Sequence, residues 1–151
     1  IHEFRDFDMI GFTEKELGFS IFNRMQNIKK VRDAMERVGI NIPIHIFGSL
    51  DTISTPLYFL SGADVFDGLT WLRYSYAFGH SVYTRNAAAL KYTLRINDDD
   101  VDARVWYDNY QAMQTLEFAL RRYIREDSFE CFGDHKAMFE QAHKELFASK
   151  G

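Results

Sequence analysis

The chain has 151 residues, 46% of them apolar, 16% aromatic and 26% charged, with a net charge of -4. That length and apolar share suffice for one domain with its own core, and the negative balance excludes global attraction to nucleic acid, so phosphate contacts would need a local patch. The single cysteine, Cys131, excludes an internal disulfide framework and argues against a thiolate-rich zinc site. With only 2 prolines and 9 glycines, long flexible linkers are not expected. No apolar run reaches the roughly 18 residues of a membrane span, and the N-terminal stretch lacks a signal-peptide pattern. A cytoplasmic location is therefore expected.

In chain order, Phe7, Met9 and Ile10 predict a short buried strand ending at Gly11. Thr13 and Glu16 have the spacing of a capping box and open a helix. Leu17, Ile21, Met25, Ile28, Val31, Met35 and Val38 give that helix one apolar face, with Gly39 as its stop. Pro43 to Phe47 reads as a second strand ending at Gly48. A second helix begins near Thr55-Pro56, since proline suits a first turn, and runs through Leu57, Phe59 and Leu60 to Gly62. Ala63 to Phe66 is a third strand, closed by Asp67-Gly68. Strands separated by helices imply parallel pairing, and an open doubly wound sheet fits the same pattern.

The second half reads differently. Ser81–Thr84 and Leu90–Ile96 are candidate strands of a hairpin, and Asn97 with Asp98–Asp100 marks a turn. A long helix is expected from about Asp102 to Arg125, with Trp106, Tyr110, Met113, Leu116, Leu120 and Ile124 inward. A last helix covers about His135 to Ala148, with Met138, Phe139, Ala142, Leu146 and Phe147 apolar. There is no internal repeat.

Three stretches carry a family resemblance: Ile10-Gly11-Phe12 followed by Thr13-Glu14-Lys15-Glu16-Leu17-Gly18, then Ile44-His45-Ile46-Phe47-Gly48, then Gly62-Ala63-Asp64-Val65-Phe66-Asp67-Gly68. In order and separation they resemble the last βα units of the tRNA-guanine transglycosylase family. The resemblance implies an α/β fold: the C-terminal portion of a (β/α)8 TIM-like barrel, about three parallel strands with crossover helices, over residues 1–78. A short hairpin and helices over 79–151 would follow as a mainly helical extension. It further implies that Asp67 is the catalytic nucleophile. Gly11, Phe12, Phe47 and Gly48 would line the base pocket, and Arg73 would contact nucleic acid. The implied activity replaces guanine by a 7-deazaguanine in tRNA or DNA, with no cofactor. Thr70-Trp71-Leu72-Arg73 stands where the family has Leu-Pro-Thr-Arg, Tyr76 stands where a further arginine is expected, and the zinc motif is absent. These departures fit a divergent, zinc-less relative, such as the branch working on DNA or in bacterial defence.

Base exchange asks for a carboxylate beneath C1′ that holds the sugar covalently until a second base displaces it. Each candidate also has a plainer role. Asp67 suits a turn cap and Asp64 a structural hydrogen bond. Phe12 and Phe47 suit a core, Gly11 and Gly48 simple strand termination, and Arg73 a surface ion pair. His45 suits a satisfied core histidine. Cys131, His135 and His143 have helical spacing but no matching ligands for a metal, and Asp98–Asp100 lacks the ligand pattern of an EF-hand. Arg85, Lys91, Arg95, Arg121, Arg122 and Arg125 form either a phosphate-binding patch or a solvated helix face.

A complete barrel needs about 200 residues or more. The chain is therefore expected to be the C-terminal portion of a longer protein, or to pair with another polypeptide that supplies the missing strands, with a homo-oligomer also open. Expected ligands are nucleic acid and a purine or 7-deazapurine base. The rival reading is a non-catalytic module that binds a nucleotide or a partner, with the aromatic-rich C-terminal helices as its interface. An open Asp67 favours the enzyme; a sealed Asp67 favours the module.

Overall fold

Alternation along Ile44-His45-Ile46-Phe47 decides how the first half is assembled. In the computed structural model, which describes residues 1–77 and 79–148, Ile44 and Ile46 are fully buried. They lie on β2 (Ile44–Phe47), the central strand of a parallel sheet with β1 (Ile10–Thr13) and β3 (Val65–Phe66) at its sides. The register pairs Ile10 with Ile44, Gly11 with His45, Phe12 with Ile46 and Thr13 with Phe47 on one side. On the other side His45 pairs with Val65 and Ile46 with Phe66. Successive side chains point to opposite faces of the sheet, so Ile44 and Ile46 share one face while His45 and Phe47 share the other.

The isoleucine face is covered by helices. α1 (Glu14–Leu17) and α2 (Ile21–Arg37) connect β1 to β2, and α3 (Ser54–Leu60) connects β2 to β3. Ile10, Ile44 and Ile46 join Met25, Ile28 and Met35 of α2 and Leu57 and Tyr58 of α3 in one buried cluster. The expected capping box is formed: the Glu16 N–H donates to Thr13 Oγ1 at 3.3 Å, and the Thr13 N–H donates to Glu16 Oε2 at 2.8 Å. The single helix expected after it is two helices, because Gly18 takes φ 130°. Ser20 then recaps the chain, its Oγ accepting from the Asn23 N–H at 3.1 Å. Gly39, at φ 69°, follows the end of α2 as expected.

β1 starts later than predicted. Phe7 and Met9 are exposed, a 3-10 turn occupies His2–Asp6, and the ladder begins where the Ile10 N–H donates to the Pro43 carbonyl. Gly11 is thus inside the strand rather than at its end.

The second half holds the hairpin β4 (Tyr74–Ala77) and β5 (His80–Tyr83), then α4 (Thr84–Lys91), α5 (Asp98–Glu126) and α6 (Lys136–Ala148). The division expected after residue 78 falls in the β4–β5 connection. The core runs across it, since Ala119 of α5 and Phe139 and Leu146 of α6 belong to the same cluster as the sheet. Leu90–Ile96 is not a strand. The Ala87-Ala88-Ala89 run drives α4, and Ala87 and Ala88 are buried.

α5 begins at Asp98 rather than Asp102, with Asn97 Oδ1 accepting from the Asp100 N–H at 2.9 Å. Three aspartates in its first turn suit the positive end of the helix dipole. Its inward face is also shifted. Val101, Val105 and Asn109 are buried, whereas Trp106, Tyr110 and Ile124 are exposed. Asn109 sets that rotation. Its Nδ2 donates to the carbonyls of Trp71 (3.0 Å) and Tyr74 (2.7 Å), and its Oδ1 accepts from the Tyr76 N–H (2.7 Å). In α6, Phe139 and Leu146 are buried while Met138 and Phe147 are exposed. Among the described residues no helix is long and apolar enough to cross a membrane.

Candidate active site

The face of the sheet opposite Ile44 and Ile46 carries the candidate site. β2 is followed by Gly48, at φ 76°, where the chain turns away from the strand. β3 ends one residue before Asp67. The Gly48 N–H donates to Asp67 Oδ1 at 2.8 Å, fixing the carboxylate between two strand ends. Asp67 Oδ2 makes no hydrogen bond among the described residues, and the side chain is 57% exposed. The carboxylate is open rather than sealed.

Asp67 lines an open cavity of about 730 Å³ with Phe47, Gly48, Leu69, Arg73 and Tyr74. Thr84 Oγ1 donates to the Arg73 carbonyl at 2.8 Å, and the Arg73 N–H donates to the Thr70 carbonyl at 3.0 Å. Those bonds hold the backbone, while the Arg73 guanidinium has no ion-pair partner among the described residues. Phe47 is half-exposed and its ring passes over Gly11, where a Cβ would collide with it. A side chain at Gly11 would push the Phe47 ring aside, although Gly11 does not line the cavity itself.

Four of the six residues singled out from sequence, Phe47, Gly48, Asp67 and Arg73, thus meet at one cavity, and Gly11 lies beneath it. Phe12 does not belong there. It pairs with Ile46 and packs, partly buried, against the helix-side core. One step along a strand reverses the face, so Gly11 and Phe12 cannot both face the same ligand.

Two carboxylates three residues apart have opposite surroundings. Asp64 forms an ion pair with Arg32, and its Oδ2 accepts from the Ile44 N–H at 2.8 Å. This is the structural hydrogen bond expected of it. Asp67 has one backbone donor and an open oxygen.

His45 departs from the satisfied core histidine expected. It is 9% exposed, yet neither ring nitrogen has a hydrogen-bond partner among the described residues. Its ring stacks at 45° against Phe47, with centroids 4.1 Å apart, and its Nε2 lies 3.7 Å from Asp67 Oδ1. Nothing in the sequence signals the missing partners; only the alternation along β2 assigns His45 to the Phe47 face.

No family model, curated protein or solved structure matches this chain. What the site can do therefore rests on its geometry and on the motifs that compose it.

The remaining candidates have other engagements. The Cys131 thiol donates to the Ser128 carbonyl at 3.2 Å, and burial pushes its pKa up. His135 Nε2 lies 2.9 Å from the Gly79 carbonyl oxygen, and His143 stacks on Phe147 at 4.3 Å. Burial lowers the pKa of His143. The basic side chains are largely paired: Arg121 with Glu117 and Arg122 with Glu126 at 2.8 Å each, Lys91 with Asp108 at 2.7 Å, and Arg85 with Asp98. Those four take the helix-face role rather than forming a patch. Behind the sheet, the Tyr58 hydroxyl donates to Glu14 Oε1 at 2.9 Å and accepts from Arg24 at 3.2 Å, joining α1, α2 and α3. Burial pushes the pKa of this phenol up to about 12.

Proposed function

We propose that this chain is part of a base-exchange transglycosylase that replaces guanine by a 7-deazaguanine in tRNA or DNA, acting in the cytoplasm. The observation that carries the reading is the placement of Asp67. It stands at the C-terminal end of a parallel strand, one oxygen held by Gly48 and the other open to a cavity shared with Phe47 and Arg73. The C-terminal strand ends are where (β/α)8 barrels keep their chemistry. The open face, the half-exposed Phe47 and Val65 on it, and the strand-unpaired outer edge of β1 support completion of a barrel. The missing strands would come from the rest of a longer protein, a partner polypeptide or a second copy.

In the reaction the target nucleotide leaves its stack and enters the cavity. Asp67 Oδ2 forms a bond to C1′ while the C1′–N9 bond breaks, and guanine departs with the electron pair. The incoming deazaguanine then attacks C1′ through its N9-equivalent nitrogen and releases the carboxylate. The proton this nitrogen loses balances the one guanine gains. Phe47 offers a ring for stacking the base, and Arg73 a cation for the phosphate backbone. The family's proton-transferring aspartate would lie on a strand outside this chain. Tyr76 is buried, its hydroxyl bound to the Leu50 carbonyl. It cannot reach a backbone as an arginine would, in keeping with an altered choice of nucleic acid.

The test is Asp67→Ala in the complete assembly, with labelled guanine and either bulk tRNA or plasmid DNA as acceptor. Exchange is expected to vanish. Exchange that survives contradicts the assignment and leaves the non-catalytic module, whose interface would be the exposed aromatic face of α5 formed by Trp106, Tyr107, Tyr110 and Phe118.

A further inference from the structure

Buried polar atoms in folded proteins are almost always hydrogen-bonded, and a group that is not asks for an explanation. His45 is such a group, with both ring nitrogens buried and unpartnered among the described residues. Its surroundings narrow the explanation. On its own strand Phe47 covers the ring at 4.1 Å. Gly11 is its Cα partner on β1 and Val65 on β3, and neither side chain can accept or donate. The nearest acidic group is Asp67, whose Oδ1 is 3.7 Å from Nε2. That same oxygen already accepts from the Gly48 N–H at 2.8 Å.

We propose that His45 is a positioning residue for Asp67: its Nε2–H closes onto Oδ1 when the site is occupied, clamping that oxygen between two donors and aiming Oδ2 at C1′. The inference rests on Asp67 being the nucleophile. Hydrogen bonds of catalytic groups are often long in the free protein and tighten in the complex. A shift of about 0.8 Å brings Nε2 to ordinary bonding distance. Phe47 contributes by lying over the imidazole, so that water does not compete for Nε2. Because Oδ1 receives both donors, Oδ2 carries no hydrogen bond of its own and stays free to reach C1′. The clamp also limits rotation of a carboxylate that is otherwise open to solvent.

The experiment compares His45→Phe and His45→Gln in the complete enzyme, following exchange of labelled guanine into tRNA and into plasmid DNA, with Asp67→Ala alongside. His45→Phe keeps the planar bulk and removes the donor; kcat should fall about 100-fold, the scale of a misplaced reacting group, with KM little changed. His45→Gln retains an N–H donor and should recover most of that loss. Should His45→Phe keep the wild-type kcat while Asp67→Ala abolishes exchange, the positioning role is wrong and the nucleophile stands. Should Asp67→Ala itself retain exchange, the underlying reading fails instead. If His45→Phe does not fold, imidazole nitrogen NMR of guanine-saturated enzyme decides. The His45 Nε2–H signal should shift between wild type and Asp67→Asn; an unchanged signal overturns the clamp.

Discussion

The two faces of β2 are built from alternate residues of one four-residue strand and do different work. Ile44 and Ile46 are fully buried beneath α2 and α3 and carry only packing. His45 and Phe47 lie on the opposite face, and there the structure holds a half-exposed ring, an imidazole without a hydrogen-bond partner among the described residues and an open carboxylate. The difference separates stability from chemistry. The helix-covered face is packed, whereas the other face holds a buried imidazole with no hydrogen-bond partner among the described residues and a carboxylate oxygen open to solvent.

If that separation holds, substitutions on the two faces should fail in different assays. The largest expected effect is on activity: Asp67→Ala should lower exchange by on the order of 10⁴-fold or more, as nucleophile removal does elsewhere. Its unfolding free energy in urea should drop by about 1 kcal/mol or less, since one exposed hydrogen bond is lost. Asp64→Ala should do the reverse, lowering stability by releasing Arg32 and the Ile44 N–H while leaving the cavity side chains in place. If the two variants behaved alike, the comparison would collapse.

The next largest effect is on the covered face. Ile46→Ala should cost about 2–5 kcal/mol in denaturant unfolding, because it leaves a void in a packed core. Asn109→Ala probes the seam between α5 and the hairpin. It strips partners from three backbone groups and should cost about 1–3 kcal/mol. Tyr58 gives the covered face a pH signature. Folded Tyr58 keeps its proton up to about pH 12, while the unfolded phenol loses it near 10. The unfolded state therefore binds fewer protons over that window, and stability is full below pH 10 and falls as pH rises towards 12. The loss is on the order of 2 kcal/mol, and Tyr58→Phe should remove that share in melts compared at about pH 9 and about pH 11.5. Phe47→Ala should change stability by only about 1 kcal/mol, because its ring is already half in water. Base affinity should nonetheless fall about tenfold through lost stacking.

Much of this was legible in the sequence where a local rule was sufficient. The Thr13–Glu16 box, the Ile-His-Ile-Phe alternation, Gly39 after α2 and the strand–helix–strand order of the first half need only neighbours in the chain. Gly48 and Asp67 are legible as strand ends lying side by side in a parallel sheet, whereas Phe47 and Arg73 were singled out by the family resemblance alone. What failed depended on tertiary contacts. The face of α5 is set by Asn109 reaching three backbone groups more than 30 residues away, and no periodicity count includes such a bond. Phe12 was singled out by the family resemblance, in a turn after a strand read as ending at Gly11; β1 runs on to Thr13, which puts Phe12 on the helix side beside Ile46. For Leu90–Ile96, the alanines carry α4 only as far as Lys91, and the rest of the run is turn and irregular chain leading to the Asn97 cap of α5. The unsatisfied His45 was invisible, since a missing partner has no sequence signal.

The most direct test is to stall the complete enzyme with its nucleic acid, digest both components, and locate any nucleotide-linked mass by peptide mapping. A sugar joined through an ester to the peptide that contains Asp67, absent from Asp67→Asn, is the result this account predicts. An adduct on a different residue, or exchange that proceeds in Asp67→Asn without one, would contradict it.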